Sequence, residues 1–490
     1  MKPFLYLTLF LTAPFTGLSQ QQFTGEIQWG QQVKDADFKP VETYVVGNSF
    51  YQVVQPGKKP MLQKYDVQSL ALQEEKVIDL IYNGKTFILV GQLVFADQMM
   101  FISYYWDTKT KTVTYLMHTL QDGHISNPVK LTQLQSSRLP DGNIWTPKQY
   151  RQTGYFDYFI SSDRQSLMIR FRDQIAGKAS DAEKLKTILF DNQLREVRQG
   201  LMEKPITDKY ATFRLSNEGE LYILFLRDFF IYNGSSMEKL DISFPGYMLS
   251  CSFDFSSQGS LLIFGAYANA ESRNLDGMFL MKFRPDMSLE FTVKETFDAV
   301  FKQTANSEVK LAGFALPAYK MHDILLKDNG DMTLFVEKWT YYSEPRSQYS
   351  DVKNSFIYGN ITVLNCSSTG QVFWKGVIPK EETTYNSAND YSSCSAFRAQ
   401  NNIYVVYNKF TDYHQGENLK EKKELKGTCV SMITSIDEHG NILTQQLDSS
   451  KGDEVRVVVP KFCRPVSDGQ FLLYSVYPIV ETKGWALISF

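Results

Sequence analysis

The sequence predicts an all-β protein, a β-propeller of seven or eight blades, and three observations carry that expectation. Short β-type runs follow one another along almost the whole chain, from Tyr44–Val46 and Phe50–Val54 to Phe471–Tyr477 and Trp485–Phe490. Runs of this kind, separated by turn residues, indicate a sandwich, barrel or propeller. Glycines at 219, 259, 330, 370, 440 and 469 each follow one or two polar residues and precede an apolar run, as in Asp328-Asn329-Gly330-Asp331-Met332. Such glycines supply the positive φ that tight hairpin turns demand. Finally, the first five are spaced by 40, 71, 40 and 70 residues.

The spacing selects the architecture. A sandwich of seven to nine strands uses about 100 residues, too few for this many runs. A propeller repeats a four-stranded sheet at intervals of roughly 40 to 60 residues and protects its edges by closing a ring. The runs divide into units near 43–69, 76–120, 155–195, 210–242, 250–295, 320–376, 393–447 and 462–490. Eight units make eight blades, or seven if the first and last share one. The alternative is two smaller packed β domains.

Helical periodicity is nearly absent, and Asp181 to Ile188 is the nearest approach to a helix. Four long polar connections interrupt the runs: Gln135 to Gly154, Thr340 to Ser355, Glu381 to Ser393 and Thr411 to Thr428. Loops of this length are commonly functional. Most lie in the C-terminal half, which points to units six and seven for a binding face. The run Lys420 to Lys426 mixes both charge signs and reads as solvated loop.

The N-terminus reads as an export signal. Lys2 is the basic region, Phe4 to Thr12 the apolar core, and Gly17 and Ser19 the small residues before the cut. The core is too short to span a bilayer. The Ser19-Gln20 junction resembles those of Bacteroidota signal peptides. Residues 1–19 are therefore expected to be removed, leaving 20–490 as one propeller domain. No cysteine near the junction offers a lipid attachment point, and Thr86 to Trp106 alternates too strongly for a membrane span. The C-terminal stretch Gly484 to Phe490 reads as a strand of the last unit rather than a sorting domain.

Composition excludes more than it assigns. Hydrophobic residues make up 43% and aromatic residues 14%, with 35 Phe and 28 Tyr against 6 Trp, a strand-forming mixture. A net charge of −3 gives no basis for nucleic-acid binding. The five cysteines, at 251, 366, 394, 429 and 463, show no metal or redox spacing and read as buried small side chains. If one disulfide forms, Cys394 with Cys366 or Cys429 is the candidate.

Motifs for chemistry are weak. The five histidines contain no His-x-x-x-His pair, and there is no nucleophile elbow or phosphate-binding loop. Asp328 to Glu337 departs from the calcium-loop spacing and reads as a hairpin turn. Glu337 is the most suggestive acid, ending an apolar strand beside Lys338 and Trp339, and a pairing partner on a neighbouring blade is expected for it. No catalytic residue, metal or cofactor is assigned. The binding candidates are the aromatic residues of the long loops: Trp339, Tyr341, Tyr342, Tyr349, Tyr385, Tyr391 and Tyr413, with His414. Such aromatic–polar surfaces serve sugar and protein recognition alike.

The C-terminal half also carries a resemblance. Gly330 to Glu337, Tyr358-Gly359-Asn360-Ile361, Gly370 to Lys375 with Ile378-Pro379-Lys380, Tyr404 to Asn408 and Ile436 to Asn441 form an ordered series. Upstream, Phe159 to Asp163, Phe264 to Tyr267 and Gly277-Met278-Phe279 extend it. The series resembles a widespread group of exported, uncharacterised Bacteroidota proteins that look like β-propellers. The group carries no assigned activity, so the resemblance implies a fold and a compartment and transfers no site. The expected function is an exported binding or scaffolding propeller, periplasmic or extracellular, with a protein or glycan partner in the cell envelope. The alternative is a carbohydrate-active or other hydrolase with acids from several blades at the central channel, and a non-enzyme is the favoured reading.

Overall fold

A computed structural model describes residues 25–34, 43–54, 59–121, 124–135, 156–172, 183–204, 211–244, 246–268, 274–307, 318–343, 354–385, 392–413, 429–447, 456–477 and 482–490. The expected export signal and its processing junction lie outside these residues. The described strands form eight antiparallel blades around an axis, so the expected propeller has eight blades rather than seven. Blade one runs from Thr43–Val46 to Leu72–Val77, blade two from Ile88–Phe95 to Val129–Gln135, and blade three from Phe156–Ile160 to Glu196–Lys204. Blade four spans Ala211–Leu215 to Met237–Leu240, and blade five Tyr247–Phe255 to Leu289–Thr296. Blade six comprises Ala318–Met321, Met332–Ser343, Asn354–Cys366 and Val372–Ile378. Blade seven comprises Cys394–Ala399, Asn402–Tyr413, Cys429–Ile436 and Ile442–Gln446.

Blade eight joins the two ends of the chain. Glu26–Trp29 pairs antiparallel with Thr482–Ser489, which pairs in turn with Gln470–Tyr477. The first strands of successive blades approach one another around the axis. Each pair of neighbouring blades shares one apolar seam, and the series closes. Phe50 of blade one, for example, stacks on Tyr65 at 4.8 Å and meets Trp485 of blade eight edge-on at 5.0 Å.

The glycine turns behave as their sequences require. All six have φ between +79° and +88°. Five share one hydrogen bond, from the glycine N–H to the carbonyl three residues earlier, at 2.8 to 3.1 Å. Turns at Arg164, Leu194 and Met287 use the same bond with a non-glycine residue at positive φ, so a search for glycine overlooks them. Alternating strand direction places first-to-second and third-to-fourth turns on one face of the ring. Second-to-third and blade-to-blade connections leave from the other, which is the loop face.

Two local expectations change. Glu183–Asp191 is a strand of blade three, not a helix, and Asp181 lies outside the described residues. Its Leu185 and Leu189 face blade four while Ile188 and Phe190 face blade two, so burial on both sides erases the alternation that marks a strand. The α-helix found among the described residues is instead Ala299–Ala305, capped by Asp298, whose side chain accepts the Phe301 N–H. It is too short to announce itself by periodicity.

Gly440 offers a test of the turn geometry. It sits at φ +84°, and an added Cβ would lie 2.7 Å from the Trp374 ring. Gly440→Ala is expected to destabilise the protein by about 1–3 kcal/mol. Equilibrium urea unfolding checks this; an unchanged midpoint would refute the turn.

Candidate functional site

Polar chemistry concentrates on the seam between blades six and seven. That seam starts as apolar packing of Phe335, Ile361, Val363 and Ile378 against Ile403, Val405 and Tyr407. Two residues beyond Phe335, strand alternation delivers Glu337 to the same face, fully buried. A charge there must be paired. The partner is Lys380, also buried, whose Nζ donates to Glu337 Oε1 at 2.6 Å and to Glu382 Oε2.

Lys380 and Glu382 come from the connection between the two blades. Glu382–Tyr385 is a strand, although the sequence read Glu381 to Ser393 as a loop. It pairs antiparallel with Asn354–Cys366 of blade six and parallel with Asn402–Tyr413 of blade seven, so the two blades share one continuous sheet. The adjoining segment supplies Ser393, whose N–H donates to Glu382 Oε2 (3.1 Å) and whose Oγ donates to Glu337 Oε2 (2.6 Å). Ser393 has φ +81°. The other non-glycine residues with positive φ sit in tight connections between paired strands, so this strain belongs to the cluster itself.

The axial side of the cluster comes from the first strands of the two blades. In Ala318–Met321, Tyr319 and Met321 pack toward blade five, while Lys320 and His322 fall on the opposite side. Lys320 Nζ donates to Ser393 Oγ at 3.1 Å. His322 Nε2 lies 3.1 Å from Glu337 Oε2 and 3.6 Å from Cys394 Sγ. His322 retains 14% side-chain exposure and Cys394 is partly exposed, whereas Glu337 and Glu382 are sealed.

The surroundings set the charges. Burial pushes the Glu337 carboxyl up, but Lys380 and then His322 outweigh it and hold the group below the usual carboxylate range. Burial pushes Glu382 up to about 7, with Lys380 pulling only partly against it. Its Oε1 has no hydrogen-bond partner among the described residues. Burial would lower His322, yet its contacts with Cys394 and Glu337 carry it up to about 9. Burial opposes the proton on Lys380, and the two carboxylates retain it.

Of the aromatic candidates, Trp339 is partly buried and stacks on Tyr358, 6.4 Å between ring centres, and Lys380 Nζ lies 5.0 Å from the centre of the Tyr358 ring. Tyr341 is 48% exposed, with its ring 5.2 Å from that of Phe356. Tyr342 lies opposite Ser355 in register, Ser355 opposite Tyr385, and Tyr413 beside Thr384. These positions therefore fall on adjacent strands at the loop-face end of the shared sheet. Tyr349, Tyr391 and His414 lie outside the described residues. Cys394 and Cys366 are free thiols, so the disulfide candidate built on Cys394 is absent. Sequence reasoning singled out Glu337 but missed His322, Lys380, Glu382 and Ser393. The one available signal was an acid on the inward register of an otherwise apolar strand.

No family model matches the chain, and no curated protein matches it. Solved structures do resemble it in outline. The uncharacterized protein lmo1340 from Listeria monocytogenes EGD-e is 9% identical, with 94% of this chain and 96% of that one covered at a TM-score of 0.36. The polysaccharide lyase Uly1 is 12% identical, covering 96% and 94% at 0.36. The Dos1 propeller is 8% identical, covering 94% and 82% at 0.33. At these identities and scores no activity transfers.

The ion cluster makes a sharp energetic claim. Lys380→Met removes the cation and leaves two buried carboxylates facing each other, at an expected cost of about 3–5 kcal/mol. Urea unfolding of the variant measures it; a loss below 1 kcal/mol, on the order of a surface ion pair, would contradict the burial.

Proposed function

We propose that the mature chain, from residue 20, is a single exported propeller that binds a protein or glycan partner of the cell envelope, in the periplasm or outside the cell. The binding surface is the loop face of blades six and seven. One observation supports this above the rest: the connecting strand Glu382–Tyr385 fuses these two blades into one sheet. Its strands Met332–Ser343, Asn354–Cys366 and Asn402–Tyr413 are 12, 13 and 12 residues long. Strands that long carry a rigid wall toward the loop face, with the half-exposed Tyr341 ring near its end. Recognition by an aromatic residue on a preorganised sheet loses little conformational entropy. Trp339 contributes by holding Tyr358 over the ion cluster, and Tyr342, Tyr385 and Tyr413 belong to the same wall by register.

The hydrolase reading needs two acids that reach a substrate and a water. Glu337 and Glu382 are close enough to share Lys380, but both are fully buried. Their enclosure supports the binding reading over the catalytic one.

Tyr341→Ala tests it. Loss of one such aromatic contact is expected to weaken capture by about 2 kcal/mol, roughly 30-fold, without changing the thermal midpoint. The measurement is retention of envelope proteins and polysaccharides by immobilised wild type and variant. Equal retention by the two would overturn the assignment to this face.

A further inference from the structure

We propose that His322, Glu337 and Cys394 form a binding site for a single divalent transition metal of the zinc class, on the axial side of the seam between blades six and seven. The proposal goes beyond the binding function and does not depend on it. His322 Nε2, Glu337 Oε2 and Cys394 Sγ converge: the first two are 3.1 Å apart, nitrogen and sulfur are 3.6 Å apart, and all three donors lie within 4.8 Å of one another. A tetrahedral zinc ion with bonds of about 2.0–2.3 Å holds its ligand atoms roughly 3.3–3.8 Å apart. Small side-chain adjustments therefore suffice to seat the ion.

The way the donors meet excludes the other use of such a trio. In a nucleophilic relay the thiol and the acid engage opposite nitrogens of the imidazole, so that one takes a proton while the other orients the ring. Here both approach the same nitrogen, Nε2. A single ring nitrogen cannot relay between them, but it can share a cation with them.

Donor chemistry chooses the ion. One nitrogen, one sulfur and one oxygen suit zinc and its neighbours, whereas calcium and magnesium require oxygen alone. Thiolate and carboxylate together carry the two negative charges that balance a divalent ion, and the imidazole binds neutral. Binding releases the thiol proton, and any second proton on the imidazole, to solvent. Glu337 is oriented by Lys380 on Oε1 and by Ser393 on Oε2, the outer-shell support that metal carboxylates use. Three protein ligands leave a fourth position for water or an exogenous ligand, on the side where His322 and Cys394 are partly exposed.

The test uses the full mature chain, stripped of metal and then titrated with zinc or with cobalt as a spectroscopic probe. One metal per chain is expected, with a thiolate-to-cobalt charge-transfer band in the near ultraviolet. Cys394→Ser should abolish the band, and His322→Ala should weaken metal binding at least tenfold, while circular dichroism shows both variants folded. Cys251→Ser, at a partly buried thiol packed in the seam between blades four and five, should keep the band, and His439→Ala, at an exposed histidine, should keep the affinity. No stoichiometric metal in the folded wild type, or a band that survives Cys394→Ser, would overturn the site.

Discussion

A blade of this protein is a sheet with two apolar faces, and it can bury both only by standing between two other blades. That requirement produces the ring. Leu185 and Leu189 leave one side of a single strand and Ile188 and Phe190 the other, each toward a different neighbour. The same demand makes the ends of the chain meet. Glu26–Trp29 completes the last blade, where Ile27 and Trp29 pack over the seam with blade seven. Closing the ring this way removes an exposed sheet face and covers the edge of Thr482–Ser489 with Glu26–Trp29.

The seam between blades six and seven buries an ion cluster among its apolar residues. Between blades six and seven, Glu337 occupies a position where the pattern Phe335, Ile361 and Val363 would continue with a hydrophobe. A buried carboxylate is tolerated there only because Lys380 and Ser393 reach it, and both are brought in by the connection between the blades. The connection must in turn pair as a strand with both blades to hold them. The shared sheet, the strained backbone at Ser393 and the long strands at the loop face therefore follow from accommodating one charge. A buried ion pair adds little net stability over a well-packed apolar contact. Its presence among the apolar residues of this seam is better accounted for by a site than by stability.

The turns and blade boundaries were legible because their chemistry is local. Gly219, Gly259, Gly330, Gly370, Gly440 and Gly469 occupy a backbone region that few other residues enter, and units read as starting near 155, 210, 320 and 393 begin as blades at Phe156, Ala211, Ala318 and Cys394. The closing strand Glu26–Trp29 was not legible, since its partner lies more than 450 residues away. Nor was the ion cluster. Lys380 and Glu337 are 43 residues apart and Cys394 and His322 are 72, and no spacing rule links them. The segment holding Lys380 and Glu382 is polar enough to read as a loop, because its carboxylate and ammonium are buried against each other rather than against water. Aromatic residues at the loop face could be named from sequence, but not their alignment on neighbouring strands, which depends on the register of Glu382–Tyr385.

On the proposed assignment, the polar seam between blades six and seven is held by a metal rather than by its ion pairs alone. The most direct measurement is anomalous diffraction at the zinc edge from crystals of the full mature protein grown with zinc. A single strong peak is expected, bounded by His322 Nε2, Cys394 Sγ and Glu337 Oε2. A map with no peak there, and Glu337 bound only by Lys380 and Ser393, would contradict it.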